Sequence, residues 1–133
     1  MNKPDPIIAY LETEGMLSLM NATKWRELAF ALEDFKGHGP KVCTKYLMDD
    51  ASGQGFCHLD WEWVKTGDTI AIEWLKIDPV HKTFRGLLVS DLEEDCRDFI
   101  FNTLKDIGVP FTLDGPYFKV WGHIKSDALP SFL

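Results

Sequence analysis

Three carboxylates, Asp60, Glu62 and Glu73, are residues whose type and spacing could support catalysis. Asp60 and Glu62 share one face of a predicted strand, and Glu73 joins them if the next predicted strand pairs with the first. Such a group could transfer protons or hold a divalent metal. We expect instead the polar outer face of an antiparallel sheet, because such sheets commonly leave one face in water.

A metal-dependent nuclease of the restriction-enzyme type is the most specific enzymatic alternative. It requires an Asp and then a Glu-x-Lys on one strand, so that the side chains reach one metal. Here each lysine follows its glutamate by three residues, in the segments 62–65 and 73–76. A separation of three places two side chains on opposite faces of a strand, so the spacing disfavours this nuclease.

The cysteines and histidines show neither a disulfide framework nor a metal-binding spacing. They are Cys43, Cys57, Cys96, His38, His58, His81 and His123. We expect the cysteines to be buried free thiols in a reducing compartment, since three widely spaced residues cannot all pair. The sequence therefore predicts no metal and no cofactor, and we expect no enzymatic activity.

Length and charge limit the classes of protein that fit. The chain has 133 residues, 45% of them hydrophobic, which is typical of one globular domain. The net charge of −7 disfavours nucleic acid as a partner, because nucleic-acid binding draws on clustered Lys and Arg. The first residues lack the basic and apolar regions of a signal peptide, and no apolar run could span a bilayer. We expect a cytoplasmic protein that does not bind membranes.

Helical periodicity predicts two helices in the first third of the chain. The first begins with Asp5 as N-cap and Pro6 at the first helical position. The second is capped by Asn21 or Thr23 and carries an apolar stripe that begins at Trp25. Residues 1–20 are read as an N-terminal extension that contains the short first helix.

A third helix is predicted near residue 90. Ser90 and Glu93 have the spacing of a capping box, in which each side chain satisfies a backbone N–H of the other. The apolar stripe that follows includes Cys96, and Gly108 ends the helix. The stretch 80–89 before it is interpreted as a loop or an irregular strand.

Alternating patterns predict five strands, at 41–48, 56–64, 69–77, 110–113 and 117–124. A turn at 66–68 is predicted to join the second strand to the third as a hairpin. The element order is α-α-β-β-β-α-β-β. It predicts a single α+β domain over residues 1–133: one antiparallel sheet of about five strands, with helices mainly on one face. Residues 125–133 are interpreted as an irregular tail.

The tryptophans fit core positions by their periodicity, with one exception. Trp61, Trp63 and Trp74 are expected to face the core from strands. Trp121 and Phe118 have opposite parity on the last strand, so one of them must face away from the main core. We include Trp121 among the candidate partner contacts.

Four segments together resemble an uncharacterised family of small bacterial α+β proteins. They are TKWREL at 23–28, IEWLKI at 72–77, IGVPF at 107–111 and FKVWG at 118–122. The match extends over about residues 21–124. These proteins are similar to the immunity proteins of bacterial polymorphic toxin systems, which bind and block a cognate toxin. The resemblance implies a non-catalytic protein-binding domain and brings no catalytic residues with it.

Acidic groups then become the candidate contacts with a basic toxin domain, because opposite charges speed association. The candidate contacts are Asp49, Asp50, Asp60, Glu62, Glu73 and Trp121. Two alternatives stay open: a homo-oligomeric assembly module, and, less favoured, a metal-dependent hydrolase or nuclease. The sequence leaves undecided whether the chain is a monomer or a homodimer, and it does not identify the partner.

Overall fold

A computed structural model describes residues 5–49 and 55–133 of the chain. In these ranges the helices are α1 (Pro6–Thr13), α2 (Ala22–Leu32), α3 (Trp61–Thr66) and α4 (Arg97–Ile107). The strands there are β1 (Met16–Ser18), β2 (Lys41–Tyr46), β3 (Cys57–His58), β4 (Ile72–Ile77), β5 (Val80–Thr83), β6 (Leu92–Asp95), β7 (Phe111–Asp114), β8 (Tyr117–Trp121) and β9 (His123–Lys125). Short 3₁₀ turns lie at Phe35–Gly37 and Thr69–Ala71.

Five of the strands form one antiparallel sheet in the order β3-β2-β4-β8-β7. Ile77 of β4 stands opposite Val42 on one side and Phe118 on the other, which places β4 at the centre. The predicted α+β class with a five-stranded antiparallel sheet is confirmed. Two smaller antiparallel pairs, β1 with β9 and β5 with β6, lie outside this sheet.

The hydrophobic core lies between one face of the large sheet and helices α2, α3 and α4. Its buried members from the helices are Trp25, Leu28, Ala29, Leu32, Trp61, Val64, Ile100 and Leu104. Those from the sheet are Val42, Ile72, Leu75, Ile77, Phe111, Phe118 and Val120. This burial is the main favourable term for folding, and it leaves the opposite sheet face to polar and aromatic side chains.

The caps of the first two helices confirm the predicted starts. Asp5 Oδ1 accepts a hydrogen bond from the N–H of Ile7 at 2.8 Å, and Pro6 occupies the first helical position. Asn21 Oδ1 accepts from the N–H of Lys24 at 2.9 Å. Each side chain satisfies a backbone donor that has no partner within its helix.

The predicted second strand, residues 56–64, is wrong beyond His58. Helix α3 replaces it, with Asp60 as N-cap accepting from the N–H groups of Glu62 and Trp63. Trp61 and Val64 are both buried, and a separation of three puts them on one face of a helix. The W-x-W-V pattern fits either period, and the Asp60 cap together with packing against α2 favours the helix. The predicted hairpin turn at 66–68 is therefore wrong as well, because it closes α3.

The predicted capping box at Ser90 and Glu93 is also wrong. Glu93 lies in β6, which pairs with β5 to form a separate hairpin, and α4 begins only at Arg97. The N–H of Arg97 donates to Asp95 Oδ1 at 3.0 Å, which satisfies a donor in the first turn of α4. In β6 the backbone N–H and C=O groups form hydrogen bonds with β5. In a helix the same groups would form hydrogen bonds within the helix itself.

Burial of the thiols follows the sequence prediction in part. Cys43 and Cys96 are buried as predicted, whereas Cys57 is exposed on β3. β3 is a two-residue strand at the edge of the sheet, so its side chains lack a neighbouring strand on one side.

Candidate functional site

Three of the acidic candidate contacts belong to two different elements: Asp60 and Glu62 to α3, and Glu73 to β4. Asp60 caps α3, and exposed Glu62 pairs with Lys65 one turn further on at 2.9 Å. Glu73 lies on β4 and pairs with Lys45 of β2 at 2.7 Å. The expected carboxylate face is therefore wrong, because Asp60 and Glu62 belong to a helix and Glu73 already has a cation.

The remaining candidates have different surroundings. Asp49 is exposed just after β2, and Asp50 lies outside the described residues. Trp121 stands on the sheet face opposite buried Phe118, as the parity of β8 indicates. Its ring lies 4.0 Å from the Lys119 ammonium, and its indole N–H donates to Thr112 Oγ1 at 3.0 Å. These two contacts within the chain explain part of the surroundings of the Trp121 side chain without a protein partner.

The most exposed apolar surface is the end of the β5–β6 hairpin. Leu88 is 100% exposed, Leu87 is 94% exposed, and Phe84 is 68% exposed. Val89 and Leu92 are also exposed beside them. We call Phe84, Leu87, Leu88, Val89 and Leu92 the hairpin tip. A group of large apolar side chains exposed to solvent at the end of one hairpin is typical of a protein-binding surface.

Acidic side chains adjoin the hairpin tip. The segment Asp91–Asp95 contains four exposed acids, Asp91, Glu93, Glu94 and Asp95. Glu94 pairs with Lys36 at 2.7 Å, and Glu93 lies 3.8 Å from Lys82. Lys36 holds the pKa of Glu94 below its ordinary value through their hydrogen bond, so Glu94 stays ionised at neutral pH. The hairpin therefore combines an apolar end with an acidic strand.

Three histidines meet in a cleft between β3, β5 and the turn before β2. The rings of His38 and His58 stack with centroids 4.2 Å apart, and His81 lies 6.0 Å from His38. The cleft encloses about 240 Å³ and is also lined by Lys41 and Lys82. Burial lowers the pKa of His58 below its ordinary value, and the charges of His38 and Lys41 lower it further.

This histidine cleft is what the sequence interpretation missed. His38, His58 and His81 are separated by about twenty residues each, and no local motif connects them. His38 stacks on His58, whereas His81 meets His38 edge to face. Within residues 5–49 and 55–133, no group of three or more His, Cys, Asp or Glu side chains is arranged to hold a metal ion.

The hairpin tip did leave a signal in the sequence. Leu87-Leu88-Val89 follows Gly86 inside a stretch with no helical or strand periodicity. An apolar run in a stretch interpreted as a loop indicates exposure, because loops run over the surface. The missing information was that flanking strands would hold this run away from the core.

Within residues 5–49 and 55–133, no helix is both long enough and apolar enough to cross a bilayer.

Fold and surface together describe a small α+β protein with exposed apolar side chains at the end of one hairpin and a cleft lined by three histidines. The chain belongs to DUF6678, a family of unknown function, whose sequence profile matches residues 7–127. Comparison with curated proteins and with solved structures finds no match.

Proposed function

We propose that this protein acts by binding another protein through the hairpin tip. The observation that carries the proposal is the exposure of Leu87 and Leu88, at 94% and 100%. Removing apolar surface from water yields about 25 cal/mol per Å², so a partner pocket that covers these side chains gains free energy directly. The paired strands β5 and β6 flank the loop that carries Leu87 and Leu88.

The partner we propose is a protein with an apolar pocket and a basic rim. Asp91, Glu93 and Asp95 lie next to the tip and are exposed, and the whole chain carries a net charge of −7. Complementary charge on two proteins raises their association rate. Added salt screens these charges, so the rate increase becomes smaller at high ionic strength. The same acids would face each other in a symmetric contact between two tips, which disfavours a second copy as the occupant.

In its finer form the proposal is an immunity protein, acting in the cytoplasm of a bacterium, that neutralises a cognate toxin. Two features support it. Segments 23–28, 72–77, 107–111 and 118–122 resemble an uncharacterised family of small bacterial proteins that is similar to immunity proteins, and acidic side chains lie beside the tip. A blocking protein needs a stable scaffold and a complementary surface, and it needs no catalytic group of its own.

Co-purification from native cells tests the proposal. The tagged chain is expected to recover a toxic protein whose toxicity it suppresses. The double variant Leu87→Ser/Leu88→Ser should lose both recovery and protection. Leu113→Ser is the matched control, because Leu113 is an exposed leucine on β7, outside the hairpin. It should retain both.

Two outcomes would contradict this assignment. Protection that survives in the double variant would show that the tip is not the binding surface. A tight dimer of the chain alone, dissociated by the same double variant in sedimentation, would replace the toxin with a second copy and favour the assembly module.

A further inference from the structure

Charged and titratable side chains line the histidine cleft. Lys41 and Lys82 lie there with the three imidazoles, and among the described residues Asp78 is the one lining carboxylate. Asp78 Oδ1 accepts a hydrogen bond from the N–H of Val80 at 3.0 Å. Lys82 lies 3.8 Å from Glu93, whereas Lys41 has no carboxylate of the described residues within ion-pair distance. The cation that the cleft can offer to a ligand without breaking an ion pair is therefore Lys41.

Aromatic side chains also line the cleft. Phe56 and Tyr117 contact each other with ring centroids 4.4 Å apart, and both line the cavity. Phe35 lines it as well and lies 6.3 Å from the His81 ring. Flat apolar surface beside cationic groups suits a ligand with an aromatic ring and an anionic substituent.

We propose that the histidine cleft binds a small phosphate monoester that carries an aromatic ring. The phosphate oxygens would accept hydrogen bonds from Lys41, Lys82 and the imidazole N–H groups, and the ring would lie against Phe56 and Tyr117. The cleft volume of about 240 Å³ lies below the roughly 300–1,000 Å³ of typical ligand pockets, which limits the ligand to a small molecule. The hairpin tip is not needed for this binding.

Protonation of His58 should strengthen binding. Its ring stacks on His38, and burial together with the positive charge of Lys41 lowers its pKa below the ordinary value. A bound dianion offsets the cost of charging His58, so binding takes up a proton and tightens as the pH falls from 8 to 6.5. The other charged or titratable groups facing the rings are Lys41, Lys82, Asp78, Tyr117 and, across from His81, Glu94.

Calorimetric titration with phenyl phosphate tests the site, with inorganic phosphate and phenol as partial probes. We expect phenyl phosphate to bind at least tenfold more tightly than either. Lys41→Gln and His58→Gln should each weaken it at least tenfold. Lys105→Gln is the matched control, because Lys105 lies on α4 outside the cleft, and it should change nothing. Leu87→Ser/Leu88→Ser should also bind normally, which separates this site from the hairpin tip.

Any one of four results would overturn the proposal. Two concern the ligand: no heat of binding with phenyl phosphate at 10 mM, or phenol that binds as tightly as phenyl phosphate. Two concern the variants: a loss of binding in Lys105→Gln equal to that in the cleft variants, or full binding by both cleft variants, each with a native circular dichroism spectrum. Adenosine monophosphate provides a second arm. Tighter binding than phenyl phosphate identifies a nucleotide as the class of ligand, and weaker binding identifies a simple aryl phosphate; either result supports the site.

Discussion

Ser18 and His123 face each other across β1 and β9, with Ser18 Oγ 2.8 Å from His123 Nδ1. The other ring nitrogen, Nε2, lies 2.7 Å from the carbonyl oxygen of Ile70. A carbonyl only accepts, so Nε2 carries the proton, and Nδ1 accepts from the Ser18 hydroxyl. The buried imidazole is thus fully satisfied in its neutral form, and it connects the N-terminal strand to the turn before β4.

Neutral His123 predicts a loss of stability in mild acid. Burial lowers the pKa of His123 below its ordinary value, although the Ile70 carbonyl and Glu73 oppose this. The unfolded chain takes up the proton near pH 6.5, and the folded chain resists it. The free energy of unfolding should therefore fall as the pH drops from about 7, until the folded pKa is passed. Urea unfolding at pH 8, 6.5 and 5 measures this.

The variant His123→Gln should be less stable at pH 8 and show a shallower dependence on pH over the same range. His58→Gln is the comparison, because His58 also has a lowered pKa but is exposed, and it should remove less of the slope. An unchanged slope in His123→Gln would contradict the assignment of the acid loss to this residue.

The Lys45–Glu73 pair predicts a structural role for Glu73. The two side chains are only 11% and 15% exposed and lie 2.7 Å apart, where the pairing of β2 with β4 is irregular. Glu73→Ala leaves a largely buried ammonium without its anion and should cost about 2–3 kcal/mol of unfolding free energy. Glu62→Ala is the control: its side chain is 75% exposed, and an exposed pair contributes about 0–1 kcal/mol. Chemical denaturation distinguishes the two, and equal losses would refute this.

The side-chain cap formed by Asp60 is expected to stabilise the helix at residues 61–66. Its Oδ1 accepts from the N–H groups of Glu62 and Trp63 at 3.1 and 3.3 Å. Asp60→Ala should cost about 1 kcal/mol, whereas Asp60→Asn keeps an acceptor and should cost much less. Thermal unfolding measures the difference. If alanine and asparagine were equally stable, the side-chain cap would contribute nothing.

Gly122 predicts intolerance of any side chain between β8 and β9. A Cβ at this position would overlap the carbonyl oxygen of Ile72 and press on the ring of Trp25. Because the obstacle is backbone, Gly122→Ala should cost about 1–3 kcal/mol, the range found for overpacked cores. Gly55→Ala is the control, since a Cβ there meets nothing within 4 Å. Denaturation midpoints of the two variants provide the test, and a neutral Gly122→Ala would contradict it.

Local signals predicted part of the fold well. The caps Asp5 and Asn21 and the stop at Gly108 act within one turn of their own helix, so neighbouring residues are enough to define them. Gly108 takes a φ of 80°, a left-handed conformation that glycine adopts without a steric cost. The five strands of the large sheet were predicted in number because their apolar faces alternate.

The errors arose where the same residues are compatible with both a helix and a strand. The segment 61–64 fits a strand and a helix alike, and the Asp60 cap together with packing against α2 decides between them. The segment after Ser90 has a capping-box spacing, yet its backbone pairs with β5 instead. Because the surface acids were assigned from these segments, the predicted acidic sheet face was lost with them.

The sequence by itself determined the α+β class, the caps of α1 and α2 and the number of strands in the large sheet. Those properties depend on periodicity and on contacts between near neighbours. Only the tertiary structure decided which side chains meet: His38 with His58 and His81, Ser18 with His123, and Lys45 with Glu73. These contacts join residues far apart in the chain, and their geometry is determined by the packing of strands and helices around one core, which no local pattern encodes.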